Sequence, residues 1–330
     1  MKQPVIAKEY RAGHLENTHQ GIICAIDEDG KILYEKGDIN QFVFYRSAMK
    51  PIQAIPAVSA GIIEKYQLTK EEATLLTASQ RGESYHEEAL KHLREKLSVN
   101  EEELVCGASY PLNDEPKESY LKSQKDKRKL MHNCAGKHLG LYACAREKGY
   151  PTEGYENINH PLQQEILTYV SDLSETKKED ILSGTDGCGV AVHSLPLKNI
   201  ATSYLKFACP DLIENEDLRN TVKTIGNLMN AHPEIVASHD FVCTALLKDD
   251  NIIAKGGAQG VYGLALKKER IAISLKVLSG SELLWPVLIA QILERLNYSN
   301  EKTIKRLYGL NAQHIYNDDG KVIGERKIYL

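Results

Sequence analysis

The chain has 330 residues, 42% of them hydrophobic, which is enough to bury a full core but too few for three domains. Its net charge of −4, with the signs interspersed, excludes a basic face for nucleic acid, and no run approaches the roughly 18 apolar residues that a membrane span needs. Seven widely spaced cysteines, with no apolar leader after Met1-Lys2-Gln3-Pro4-Val5, exclude a disulfide framework and set the expectation of a soluble, unexported, cytoplasmic protein.

The first element is a hairpin. Gly21-Ile22-Ile23-Cys24-Ala25-Ile26 and Lys31-Ile32-Leu33-Tyr34 flank Asp27-Glu28-Asp29-Gly30, a tight-turn sequence. Helical spacing then dominates to about residue 175: His86 to Leu97 puts Ala89, Leu90, Leu93 and Leu97 on one face, and Pro161 opens a helix through Leu173. The basic run from Lys122 to Lys129 falls in a polar connector and reads as a solvated loop. Glu216 to Met229 is helical again. Asn251 to Lys255 and Arg270 to Lys276 read as strands around a glycine-rich stretch, and Leu283 to Leu296 as a helix. Asn317-Asp318-Asp319-Gly320 reads as a turn before a last strand, Lys327 to Leu330.

Strands at both ends with helices between predict an α+β fold. Its core is a mixed, mainly antiparallel sheet built from both chain ends and flanked by helices, with a helical lobe beside it. Residues 1–330 are expected to form a single domain. Residues 1–45 and 240–330, approximately, supply the sheet region, and 46–239 a mainly helical region without a sheet of its own.

Where the strand pattern first gives way to helix stands Tyr45-Arg46-Ser47-Ala48-Met49-Lys50-Pro51. A serine hydroxyl is a poor nucleophile at neutral pH, and a nearby neutral amine can take its proton. Residues three apart share a helix face, so Ser47 and Lys50 can meet locally, a spacing used for acyl transfer in class A β-lactamases and penicillin-binding proteins. The same spacing recurs at Ser119/Lys122, Ser174/Lys177, Ser203/Lys206 and Ser299/Lys302. Only Ser47/Lys50 is followed by an early-helix proline, Pro51, and the apolar run Ile52-Gln53-Ala54-Ile55-Pro56-Ala57-Val58, where desolvation would favour a neutral lysine.

Further clusters combine glycine with functional groups: Thr77 to His86, His132 to Gly140, Ser183 to Val190 and Lys255 to Val261. Taken together they carry Arg46-Ser47-x-x-Lys50-Pro51, Ser79-x-x-Gly82-Glu83, Asn133-Cys134-x-Gly136-Lys137-His138, Asp186-Gly187-Cys188-Gly189 and Lys255-x-Gly257-Ala258-x-Gly260-Val261, in that order. Over about residues 10–280 the chain resembles the asparaginase II family, typified by the inducible, thermolabile rhizobial L-asparaginase. The resemblance implies hydrolysis of L-asparagine to L-aspartate and ammonia on a fold similar to serine β-lactamases and glutaminases. It also implies two Ser-Lys tandems around one pocket, Ser47 with Lys50 and Ser79 with Lys255, and a neighbouring metal site, usually zinc, at Cys134, Lys137 and Cys188. The family commonly has His after the second serine and Gly-Ala-Glu-Gly after the second lysine. Here Gln80, followed by Arg81, and Gln259 stand at those places, which points to altered substrate-orienting contacts.

Amide hydrolysis needs a nucleophile, a base, a proton for the departing ammonia and donors for the oxyanion. Ser47 is the expected nucleophile and Lys50 its base, with Ser79 and Lys255 relaying the proton; the reverse, with Ser79 attacking, stays open. Arg46 or Arg81 would grip an α-carboxylate, and Glu83 or Asp186 would accept an α-ammonium, although Glu83 reads equally well as a helix-start carboxylate. Zinc, if bound, is expected in a role other than generating the nucleophile, since a zinc hydroxide would make two Ser-Lys tandems redundant. His138, beside the ligand motif, reads as a packed histidine. Other readings are a β-lactamase- or peptidase-like serine hydrolase, a zinc-dependent amidohydrolase acting on another small amide, and a non-catalytic amino-acid-binding protein. A homodimer is the default expectation.

Overall fold

The alternating segments of the two chain ends pair with one another in the computed structural model, which describes residues 3–310 and 313–330. In chain order the strands are β1 (Val5–Arg11), β2 (His14–Asp27), β3 (Ile32–Lys36), β4 (Phe42–Phe44), β5 (Leu182–Thr185), β6 (Ala191–Pro196), β7 (Ile252–Gly257), β8 (Val261–Leu266), β9 (Ile271–Val277), β10 (His314–Tyr316) and β11 (Val322–Ile328). An eight-stranded sheet runs β10-β11-β1-β2-β9-β8-β7, with β3 also paired to β2. The fold is α+β, and its main sheet is built from both chain ends as the patterning predicts. Every pairing among the described residues is antiparallel, so the expected mixed character is absent. Short turns join β1 to β2, β2 to β3, β7 to β8, β8 to β9 and β10 to β11, and a short turn can only join antiparallel neighbours.

The fourteen-residue β2 is shared among three neighbours. Its first half pairs with β1 and is mostly exposed; its second half, from Gly21, pairs with β9 and β3 and is buried. β7 and β8 are buried along their whole length because helices cover both faces. Successive residues of β8 show it: Tyr262 meets the Trp285 ring at 5.1 Å, and a Cβ on Gly263 would lie 2.3 Å from the Tyr204 ring. Tyr204 belongs to the helix Leu197–Ala208 and Trp285 to the helix Trp285–Arg295. The patterning reads β8 as part of a glycine-rich stretch; a strand covered on both sides has no polar alternation to reveal it.

The helices Ser84–Leu97, Pro161–Ser174 and Glu216–Ala231 form where the apolar spacing places them. The expectation of a central region without sheet is corrected: β5 and β6 lie within it and form a three-stranded sheet with β4 from just before it. These strands are short, and β6 is buried throughout apart from its last residue, so neither length nor alternation marks them. The last strand also starts earlier than Lys327, at Val322. Among the described residues no helix is long and apolar enough to cross a membrane.

Candidate active site

Ser47 lies in a short 3₁₀ turn, Arg46–Met49, packed against the end of β7. The packing is close: a Cβ on Gly257 would fall 2.4 Å from the Tyr45 carbonyl oxygen and 3.0 Å from the Ala48 nitrogen, so only glycine lets the two backbones meet. The Tyr204 hydroxyl ties the same pieces together by donating to the Ala48 carbonyl at 2.7 Å and the Lys255 carbonyl at 3.4 Å. Arg46 has a left-handed backbone, φ 51°, which costs a non-glycine residue on the order of 1–3 kcal/mol. Its Nε donates to Asp186 Oδ1 at 2.6 Å, an ion pair that holds the turn in place.

Lys50 and Lys255 are fully buried, and both amines reach Ser79. Lys50 Nζ donates to the Ala78 carbonyl at 2.6 Å, to Ser79 Oγ at 2.9 Å and to the Asn133 carbonyl at 3.3 Å. Lys255 Nζ donates to Ser79 Oγ at 2.9 Å and to the Gly256 carbonyl at 2.7 Å. Ser79 thus meets Lys255 as the motifs imply, and it shares Lys50 as well. Ser47 Oγ has no hydrogen-bond partner among the described residues. The reason is local: 46–49 is a 3₁₀ turn rather than an α-helix, and the carbonyls of Ala78 and Asn133 draw the Lys50 amine towards Ser79. Both serines are half-buried, whereas the two amines are fully buried.

Burial sets the charge state of these amines. It pulls Lys255 down to about 8, the nearby Lys50 adding to the effect against the pull of Cys243. Lys50 is also lowered, by burial first.

The other candidates divide by partner. Arg81 stacks over the Phe241 ring at 4.6 Å, and its Nε donates to Asn113 Oδ1 at 2.5 Å. Asn113 in turn donates to Glu83 Oε1 at 2.6 Å. Glu83 caps the helix Ser84–Leu97 in a reciprocal arrangement with His86, the helix-start role weighed for it in the sequence. Asp186 accepts from Arg46 and from the Gly187 N–H at 2.8 Å.

Cys134, Lys137 and Cys188 come together although 51 residues separate the last two. Lys137 Nζ lies 3.1 Å from Cys188 Sγ, Cys134 Sγ lies 3.5 Å from Asn133 Oδ1, and Cys134, Lys137 and Cys188 are all buried. The neighbouring Cys188 and the positive charge of Lys50 and Lys137 hold the Cys134 thiol far below its ordinary value despite burial. Burial opposes charge on Lys137, but Cys188 and Cys134 outweigh it and keep the amine protonated. Two sulfurs suit a thiophilic cation such as zinc, and the Lys137 amine could join them only after giving up its proton. Among the described residues no group of three or more His, Cys, Asp and Glu could hold a metal, so the third ligand would have to be the Lys137 amine. His138 sits behind this cluster, its Nδ1 2.7 Å from the Tyr155 hydroxyl, in the packed role expected of it.

The sequence profile of the L-asparaginase II family matches residues 7–328. The chain belongs to the L-asparaginase II family. A search among curated proteins finds no match. Among solved structures, a candidate beta-lactamase from Bacteroides dorei DSM 17855 is 15% identical, over 84% of this chain and 93% of that one, with a TM-score of 0.46. A beta-lactamase (Mb2281c) from Mycobacterium bovis is 13% identical over 83% and 94%, with a TM-score of 0.41. A Bacillus glutaminase is 16% identical over 85% and 92%, with a TM-score of 0.39. These are loose likenesses of layout; the family match makes the protein an amidohydrolase with a small-molecule substrate.

Within this L-asparaginase II chain, the two departures from the family motifs have different settings. Gln80 is 1% exposed and committed to structure: its amide donates to the Met131 and His132 carbonyls at 3.0 Å and to Leu130 at 3.4 Å, while its Oε1 accepts from the Gly82 N–H at 2.6 Å. Its polar atoms are thus used in holding residues 130–132 against residues 80–82. Gln259 has a left-handed backbone, φ 64°, and its carbonyl accepts from Lys276. Sequence reasoning missed Cys243, whose Sγ receives the Gly256 N–H at 3.3 Å and the Tyr262 hydroxyl at 3.2 Å beside Lys255. It also missed Asn113, Phe241 and Glu282, which lie outside every motif and carry no local signature.

Proposed function

We propose that this L-asparaginase II family member hydrolyses L-asparagine to L-aspartate and ammonia through an acyl-enzyme on Ser47. The observation that carries the reading is the Ser79 hydroxyl between two buried amines, Lys50 and Lys255, each 2.9 Å away. A hydroxyl so placed can accept a proton from one side and pass it to the other. Ser47 Oγ attacks the side-chain amide carbon as the Lys50 amine turns from Ser79 to take its proton, and the Ser79–Lys255 pair delivers a proton to the departing ammonia. Water then attacks the ester by the reverse of these transfers, releasing L-aspartate.

Two unused donors face the developing oxyanion. Among the described residues neither the Ser47 nor the Ala258 N–H has a hydrogen-bond partner, and the two flank the contact between Gly257 and the 45–48 backbone. Such donors, preorganised in a site poor in water, act on charge as it forms. Arg46 and Arg81 are the proposed anchors for the substrate's α-carboxylate, each retaining guanidinium N–H groups beyond its present bond. Zinc held by Cys134, Lys137 and Cys188 would supply a fixed positive charge beside Lys50, favouring that amine's neutral form. The seven unpaired cysteines support a reducing, cytoplasmic setting.

The test is ammonia release from L-asparagine and L-glutamine by wild type and Ser47→Ala, with hydroxylamine added to intercept an acyl-enzyme. Release from L-asparagine and aspartyl hydroxamate from wild type, both lost in Ser47→Ala, are expected. Undiminished turnover by Ser47→Ala would move the nucleophile to Ser79 or to water.

A further inference from the structure

The site is rich in positive charge: Lys50, Lys255, Lys137, Arg46 and Arg81 all converge on it. A free α-amino acid brings an ammonium as well as a carboxylate, so one anionic group must remain available. Glu83 is committed to its helix cap and to Asn113, and Asp186 to Arg46 and the Gly187 N–H.

A third carboxylate is held in place by the loop between β9 and the helix Trp285–Arg295. This loop folds back over the turn that follows Lys255. The Gly280 N–H donates to the Val277 carbonyl at 3.0 Å and the Trp285 N–H to the Glu282 carbonyl at 3.2 Å. A Cβ on Gly280 would lie 2.8 Å from Gln259 Oε1, and one on Gly260 would lie 2.6 Å from the Val277 oxygen, so loop and turn are in direct contact. Glu282 sits here, half-buried, in a groove it shares with Phe241, the ring under Arg81. The positive charges of Arg81, Lys255 and Arg46 and the Gln259 N–H all act on its carboxyl. Among the described residues it makes no ion pair and accepts no side-chain hydrogen bond. Burial pushes its pKa up while Arg81 and Lys255 oppose this, and an arriving ammonium would favour the ionised form further.

We infer that Glu282 is the acceptor for the substrate's α-ammonium. This rests on the amidase reading above. It also supplies a carboxylate next to Gln259, where the sequence motif lacks one.

The experiment compares L-asparagine with succinamic acid, the same β-amide without the amino group, in wild type, Glu282→Gln and Glu282→Asp. Binding of the matching acids, L-aspartate and succinate, is measured alongside by calorimetry. The expected result is a fall of about 10- to 100-fold in kcat/KM for L-asparagine in Glu282→Gln, the size of one charge-assisted hydrogen bond, with succinamic acid unchanged. Glu282→Asp, which keeps the charge, retains part of the preference. An equal fall on both amides, or no fall on L-asparagine, overturns the assignment. Should wild type release ammonia from neither amide, the acids decide. Tighter binding of L-aspartate than succinate, lost in Glu282→Gln, keeps the ammonium site and removes the asparaginase reading. No preference in wild type removes the ammonium site.

Discussion

Two ammonium groups about one hydroxyl repel each other. With each amine 2.9 Å from Ser79 Oγ, they are at most ~6 Å apart, which costs roughly 3 kcal/mol at an effective dielectric near 20. One proton is therefore readily given up, and burial makes Lys255, held at about 8, a donor and acceptor near working pH. Lys255 must carry a proton to protonate the departing ammonia and is neutral above its pKa, so kcat/KM is expected to fall with rising pH along a limb centred near 8. Lys255→Arg keeps the charge but cannot lose its proton, and should lower kcat by about 10²–10⁴-fold and remove that limb. A pH–rate profile of both proteins checks this; an unchanged limb in the arginine variant would place the titration elsewhere. Gln80 gives a prediction of the opposite kind. Gln80→Ala leaves buried carbonyls and the Gly82 N–H without their partner, so unfolding in urea should show a loss of about 1–3 kcal/mol, with little change in KM.

The catalytic geometry is decided where elements touch, and two glycines show how. Gly257 lets the end of β7 lie against the turn carrying Ser47, and Gly136 lets the helix Ala135–Glu147 approach Leu75, whose carbonyl oxygen would be 2.3 Å from a Cβ there. Backbone cannot swing aside as a flexible side chain can. Gly257→Ala should therefore displace the Ser47 turn and lower kcat by roughly 10²-fold or more, the scale set by small misplacements of reacting groups. Steady-state kinetics measures it, and wild-type kcat in this variant would show that the β7 contact does not position Ser47. Legibility at this scale followed exposure. Helices with one wet face, such as Ser84–Leu97, were plain in the spacing; β8 and β6, dry on both faces, were not.

The site residues come from the whole chain: 46–50, 78–83, 133–137, 186–188, 255–259 and 282. The sheet that aligns them pairs β11 with β1 and β9 with β2, so it closes only when both chain ends have returned. A single cooperative unfolding transition follows, with no lobe able to keep the site on its own. Trp285 is the only tryptophan and packs on Tyr262 and beside Gly256, so its fluorescence reports the ground beneath Lys255. Fluorescence and ammonia release should have coincident denaturation midpoints; separated midpoints would mean independent lobes. The proposed zinc site predicts a Tm that climbs with the logarithm of added zinc, a shift that Cys134→Ser should abolish.

By itself the sequence determined the class of fold, the two Ser-Lys motifs, the thiol and amine set and the family to which they belong. These are local patterns or short fixed spacings, which survive in one dimension. Only the tertiary structure decided that Lys50 turns to Ser79 rather than Ser47, that Gln80 is a structural tie, that Glu83 and Asp186 are already engaged, and that the loop carrying Glu282 packs on the turn after Lys255. Each of those outcomes depends on which carbonyls, charges and backbones other segments bring to the same place, and no spacing along the chain encodes it.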